Sequence, residues 1–201
     1  MKKALALSVV LVVALCGAAQ ARLPRTYAEF KERYATEGKT PRGAVKMYFE
    51  AVYAYLDPQL REEASKMVRY ALHSDRPIER SQNYATFAER LRDPSYAHIF
   101  RSFAKGTSPE DDYAMSPDDF ELMFEDAWED PGGYLRVALR SSGADNARTI
   151  QVKDYDGLWY IINNAGTYVE VRRPRSQTDA RRNAHDADFD SGEGLLDRPA
   201  R

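Results

Sequence analysis

The spacing of apolar residues changes character about half-way along this chain. In the first half it is helical. Ala44, Val45, Tyr48, Phe49, Val52, Tyr55 and Leu56 share one face, behind a Thr40-Pro41 pair suited to an N-cap and a first helical residue. Asp57-Pro58 ends that helix and caps a second, whose face is Leu60, Ala64, Met67, Val68, Ala71 and Leu72. Tyr84, Phe87, Ala88 and Leu91 predict a third helix over about 81–92. Ahead of these, residues 22–39 are polar with scattered apolar positions and read as a loose helix or an arm.

After Asp93-Pro94, turn signals arrive at short intervals: Gly106-Thr107-Ser108-Pro109, Pro131-Gly132-Gly133, Ser142-Gly143, Asp156-Gly157 and Asn164-Ala165-Gly166. Between them apolar and polar residues alternate, as in Leu135, Val137 and Leu139 against Arg136, Ala138 and Arg140, or Ile150 and Val152 against Gln151 and Lys153. This predicts an antiparallel meander, with Asp156-Gly157 as the turn joining 149–153 to 158–162. Alternation puts Leu158, Tyr160 and Ile162 on one face of the last segment and Trp159 and Ile161 on the other. Both faces are apolar, which predicts an interior strand with Trp159 buried. Residues 116–128 fit both periods: Phe120, Met123, Phe124, Ala127 and Trp128 at helical spacing, or Phe120, Leu122 and Phe124 alternating with Glu121, Met123 and Glu125. From Arg172 onward apolar residues nearly vanish. The predicted fold is α+β: N-terminal helices packed on a curved antiparallel sheet, in one domain over 40–174, with a disordered C-terminal tail over 175–201.

The first 21 residues change the compartment. Lys2 and Lys3 precede an uncharged apolar run from Ala4 to Leu15, and Ala19-Gln20-Ala21 has the small-x-small form of a signal peptidase site at Ala19 and Ala21. The run is short for a membrane span. Cys16 follows Leu15 rather than a small residue, a poor lipoprotein pattern, and falls in the discarded peptide. The mature chain is then free of cysteine, which excludes disulfides, thiol nucleophiles and cysteine-ligated zinc. An exported, periplasmic or secreted, protein is predicted, with no membrane association after cleavage. The chain has 29 basic and 31 acidic residues, well mixed, which does not favour nucleic acid as a partner.

Several segments resemble an uncharacterised family of bacterial exported domains of unknown function. They are Thr40-Pro41-Arg42-Gly43-Ala44, Gly106-Thr107-Ser108-Pro109-Glu110, Ser141-Ser142-Gly143-Ala144-Asp145 and Gly157-Leu158-Trp159, in that order, over about 41–174. The resemblance implies a strand for Phe120 to Phe124, offers no counterpart for Ala127-Trp128-Glu129-Asp130, and carries no activity or functional residues. Helices followed by a sheet that ends in a Trp-containing strand are also similar to the nuclear-transport-factor-2-like, cystatin-like layout, which implies a conical pocket and leaves the chemistry open.

Candidate chemistry is sparse. The acidic run from Asp111 to Asp130 has no ligand spacing and reads as a solvated face. Asp186, Asp188 and Asp190 begin a partial calcium loop, but Ser191 stands where the turn needs glycine and Asp197 where a bidentate Glu is usual. No metal and no cofactor are predicted. His73, His98 and His185 are dispersed, and no G-x-S-x-G elbow surrounds Ser108, Ser141 or Ser142. Tyr48, Tyr53, Trp128, Tyr134, Trp159 and Tyr160 suit the wall of a ligand pocket, their alternative being ordinary core. The reading is a non-catalytic exported domain that binds a small molecule or a protein partner. The alternative is a pocketed α+β enzyme using carboxylate, Tyr and His98 for acid–base work. Mass spectrometry of the exported protein is expected to show Arg22 as its N-terminus; a diacylglyceryl-modified Cys16 would make it a lipoprotein instead.

Overall fold

Two threonines start the first two helices. The computed structural model describes residues 22–190. In it, Thr26 accepts the Glu29 N–H and opens α1 (Tyr27–Glu37), and Thr40 accepts the Gly43 N–H at 3.0 Å and opens α2 (Pro41–Leu56) with Pro41 in the first turn. The corner between them is so tight that a Cβ on Gly43 would lie 1.9 Å from the Glu37 carbonyl oxygen. Of the two forms expected for residues 22–39, a loose helix or an arm, much of the segment takes the helix, and two aromatic rings one turn apart, Phe30 and Tyr34, carry its fully buried face. So few apolar positions leave a faint helical signal in the sequence.

Asp57 ends α2 as its sequence predicts, and α3 (Arg61–Ala71) follows. The third predicted helix is α4 (Ala85–Arg92), entered through a 3-10 turn, and a short α5 (Ala97–Arg101) succeeds it. From Ala44 to Tyr55 every residue of α2 except Lys46 is buried. A helix apolar almost all round belongs in the middle of a domain. It packs on α3 and across the sheet.

The sheet is a meander of β1 (Phe124–Asp130), β2 (Tyr134–Leu139), β3 (Arg148–Tyr155) and β4 (Leu158–Asn163), antiparallel and in chain order. Asp156 and Gly157, with φ of 56° and 84°, form the expected two-residue turn. Val137, Leu139, Ile150, Val152 and Ile161 are fully buried among the core residues.

Three expectations are corrected. The ambiguous stretch is a strand only from Phe124, and it continues through Ala127-Trp128-Glu129-Asp130; Leu122 makes a single bridge to Ala104. A bulge between Phe124 and Ala127 breaks the alternation that sequence reading relies on. Second, β4 lies at the edge of the sheet rather than inside it. Both of its faces are apolar because helices reach round it: Ile161 lies in the α2 core, while the Tyr160 ring stacks on Tyr34 of α1 at 5.4 Å and meets Tyr70 of α3 at 5.6 Å. Trp159 is half-buried. Third, the expected disordered tail begins as α6 (Arg175–Asp190). It is tethered where Ser176 N–H donates to Asp112 at 2.9 Å and Gln177 donates to the Ser95 carbonyl at 3.0 Å. Arg175 and Arg182 both pair with Asp179, and such pairs a turn apart support an exposed helix. Cys16, Ala19 and Ala21 lie outside the described residues, as does the calcium-like run beyond Asp190.

A buried charge fixes α1 on α2. Glu50 is fully buried, and Arg33 of α1 donates to its Oε1 at 2.8 Å. Its Oε2 lies 2.7 Å from the same guanidinium but off the N–H axis, so that contact is Coulombic. Lys46 stands 3.6 Å away, and Arg33 also holds Glu37 and the Arg22 carbonyl. Burial pushes the Glu50 carboxyl above its ordinary range, and Arg33 and Lys46 oppose the shift. Arg33→Ala is expected to cost about 2–3 kcal/mol at pH 7, below the value for a fully buried pair because Lys46 remains. With the folded-state pKa raised further, the folded protein binds the proton more tightly than the unfolded one, so the deficit should shrink as pH falls towards the carboxylate range. Denaturant unfolding should also show that adding Glu50→Gln restores more than half of the loss.

Candidate functional site

The six aromatic residues singled out from the sequence do not meet at one place. Tyr48 and Tyr53 are core. The Tyr48 hydroxyl bonds Thr167 at 2.9 Å and accepts from Asn164 at 3.0 Å, and the Tyr53 hydroxyl donates to the Phe100 carbonyl at 3.2 Å. Burial pushes both phenols well above their ordinary pKa. Tyr160 is buried in the tyrosine cluster, its hydroxyl 3.3 Å from that of Tyr70. Trp128 is 42% exposed in the middle of β1, opposite Arg136.

Tyr134 and Trp159 reach the same depression, from opposite faces of the sheet. They line a groove of about 320 Å³ at the hairpin end of the sheet, with Glu129 and Asp130 of β1, Gly133, Leu135 of β2, and Lys153 and Asp154 of β3. Register explains the juxtaposition. Asp154 is the direct cross-strand partner of Trp159, and Glu129 that of Leu135, which in turn pairs with Val152. Partners share a face and faces alternate along a strand, so Glu129, Leu135, Asp154 and Trp159 lie on the face that carries Val152 and Ile161. The groove is therefore the open end of the surface that α2 covers further along. Trp159 itself is held by its backbone, its N–H donating to Gly38 at 2.8 Å and its carbonyl accepting from the Tyr34 hydroxyl at 2.6 Å. Sequence reading found both aromatic residues but not the groove's carboxylates, which sat unsorted within a long acidic run.

A wider depression of about 610 Å³, mainly apolar in its lining, runs along α4 past Arg80, Ala85, Ala88, Arg92 and Pro94. One of its carboxylates, Glu79, is already engaged by Tyr55 at 2.8 Å and Ser65 at 3.0 Å.

The serine-rich segments are structural joints. Ser102 of the core donates to the Ile99 carbonyl and bonds Ser141 Oγ, each at 2.7 Å. Thr107 bonds Ser142 Oγ at 3.0 Å, and the Ser142 N–H donates to the Ser102 carbonyl at 2.8 Å. Thus Gly106-Thr107-Ser108-Pro109 and Ser141-Ser142-Gly143 are clasped through hydroxyls. A Cβ on Gly143 would fall 2.2 Å from the Tyr113 hydroxyl oxygen, which donates to the Arg172 carbonyl. None of these hydroxyls is bonded to a histidine.

His98 is buried away from the groove. Its Nδ1 bonds the Ser95 carbonyl at 2.8 Å, the same oxygen that receives Gln177 of α6, while its Nε2 is buried without a partner beside Tyr113. A group held in this way is neither poised for acid–base work nor joined to a carboxylate. Among the described residues no cluster of three or more His, Cys, Asp or Glu is arranged to hold a metal, and no helix is long and apolar enough to cross a membrane.

Burial lowers the pKa of His98 below the ordinary 6.5. The unfolded chain then takes up the proton first as pH falls, so stability is full above the unfolded value and is lost as pH drops below about 6.5 towards the folded pKa. Unfolding free energies measured across that window should slope less steeply in His98→Gln than in the wild type; identical slopes would place the titration at another group.

No curated protein and no solved structure matches the chain. Residues 22–175 match the family model for a domain of unknown function (DUF6935). That match spans α1 to the start of α6 and takes in both serine joints and the groove, so the chain belongs to the DUF6935 family.

Proposed function

We propose that this protein is an exported, non-catalytic binding domain whose ligand site is the groove at the hairpin end of the sheet. One observation carries the reading. Trp159, half-buried and fixed through its backbone, lines one concave surface together with Leu135 and the carboxylates of Glu129 and Asp154. Sites for small molecules combine an apolar wall with a few placed polar groups. The interior where a nuclear-transport-factor-2-like layout would open a conical pocket is filled by Tyr48, Phe49, Val52, Ile150 and Val152, all fully buried. This favours the sheet end over the interior. Export rests on the leader pattern, and two features agree with processing after Ala21: the family match starts at residue 22, and Leu23, only 5% exposed, is seated with its N–H on Asp118 at 2.8 Å.

The test is amide chemical-shift mapping on isotope-labelled protein starting at Arg22, screened against mixtures of saccharides, amino acids, amines and organic acids. Saturable shifts centred on Gly133, Leu135, Asp154 and Trp159, abolished in Trp159→Ala and reduced in the better-tolerated Trp159→Phe, are expected. Shifts confined to the α4 depression or the tyrosine cluster would move the site.

A further inference from the structure

Resting on that reading of the groove, we infer that its ligand is a small organic cation, an amine or quaternary ammonium with an apolar body, received against Trp159 on the sheet face that also carries Glu129 and Asp154. The assignment follows from sorting the charges around the groove. Asp130 is neutralised: it accepts from Arg136 at 2.7 Å, and that guanidinium also reaches the Tyr134 hydroxyl at 3.1 Å. Alternation places Arg136, Tyr134 and Asp130 on the opposite face of the sheet from Trp159. The one lysine at the groove, Lys153, leans the same way, with its ammonium 5.6 Å from the centre of the Tyr155 ring. Glu129 and Asp154 remain. They share the face of Trp159, and neither is in an ion pair among the described residues. Asp154 spends one oxygen on the Gly157 N–H at 3.0 Å, leaving the other free.

Charge complementarity thus selects the ligand. Two carboxylates outside any ion pair among the described residues share a face with a Trp ring and an apolar side chain, and cations are attracted to the face of an indole while their alkyl groups cover its surface. An anion would meet repulsion from both acids, and a neutral molecule would gain only the apolar contact. At about 320 Å³ the groove has room for a small molecule, at the low end of the usual range.

The experiment uses choline chloride and its uncharged isostere 3,3-dimethylbutan-1-ol as probes. The protein starts at Arg22 and carries Trp128→Phe, so that Trp159 is the sole tryptophan; Trp128 is exposed and outside the groove. Choline is expected to change Trp159 emission saturably, against a sodium chloride control of equal ionic strength. The isostere should bind about tenfold more weakly. Glu129→Gln with Asp154→Asn should bring choline down to the level of the isostere while the circular dichroism spectrum stays unchanged. Equal binding of the two probes, no response to choline, or unchanged choline binding in the double variant would overturn the assignment. If choline fails while neutral or acidic compounds shift the groove amides, the groove stands as the site and only the cationic class falls.

Discussion

A strand at the edge of a sheet carries backbone donors and acceptors that must find partners, and in this domain that requirement positions the helices around the last strand. The N–H and carbonyl of Trp159 point out of the β4 edge and are satisfied by the Gly38 carbonyl and the Tyr34 hydroxyl. Both partners belong to the end of α1, so α1 must lie along β4. That placement brings Tyr34 onto Tyr160, Phe30 and Tyr70 into the same aromatic cluster, and Arg33 onto the buried Glu50 of α2. The tight Thr40–Gly43 corner then leaves α2 no course except across the sheet. One covered edge links the backbone of the sheet, the aromatic core and the buried charge.

The same arrangement divides polar groups into those that hold the fold and those free to meet a ligand. The Tyr48 hydroxyl, the four hydroxyls of the serine joint and the imidazole Nδ1–H all end on internal partners. Buried polar groups satisfied in this way specify packing and are unavailable for chemistry. Glu129 and Asp154, in no ion pair among the described residues, lie instead where the helical cover stops, at the hairpin end of the sheet. The binding role proposed for the groove rests on this contrast between committed and uncommitted polar groups.

Elements whose chemistry is local were legible in the sequence. Asp57-Pro58 marks a helix boundary by itself, and Asp156-Gly157 adopts the positive φ angles its turn needs. Elements defined by distant partners were not. Strand β1 has an exposed, acidic pattern broken by a bulge, so neither period describes it. The apolar faces of β4 are signs of burial, and burial by helices round an edge looks the same in sequence as burial between two strands. The groove was half legible: Trp159 and Tyr134 stand out as large rings, whereas Glu129 and Asp154 acquire meaning only when register sets them on one face and Arg136 removes Asp130 from consideration.

The two margins of the sheet are treated in opposite ways. The β4 margin is sealed by protein, while β1 faces water with Glu125, Asp126, Glu129 and Asp130 along seven residues, and Asp126 folds back onto the Ala127 N–H at 2.7 Å. Charge of this kind keeps strands of neighbouring molecules from pairing. The near-neutral total charge of the protein thus conceals one sheet margin on which acids predominate. Concentrated counter-ions screen such charges and weaken that protection, while the sealed β4 margin is untouched by them.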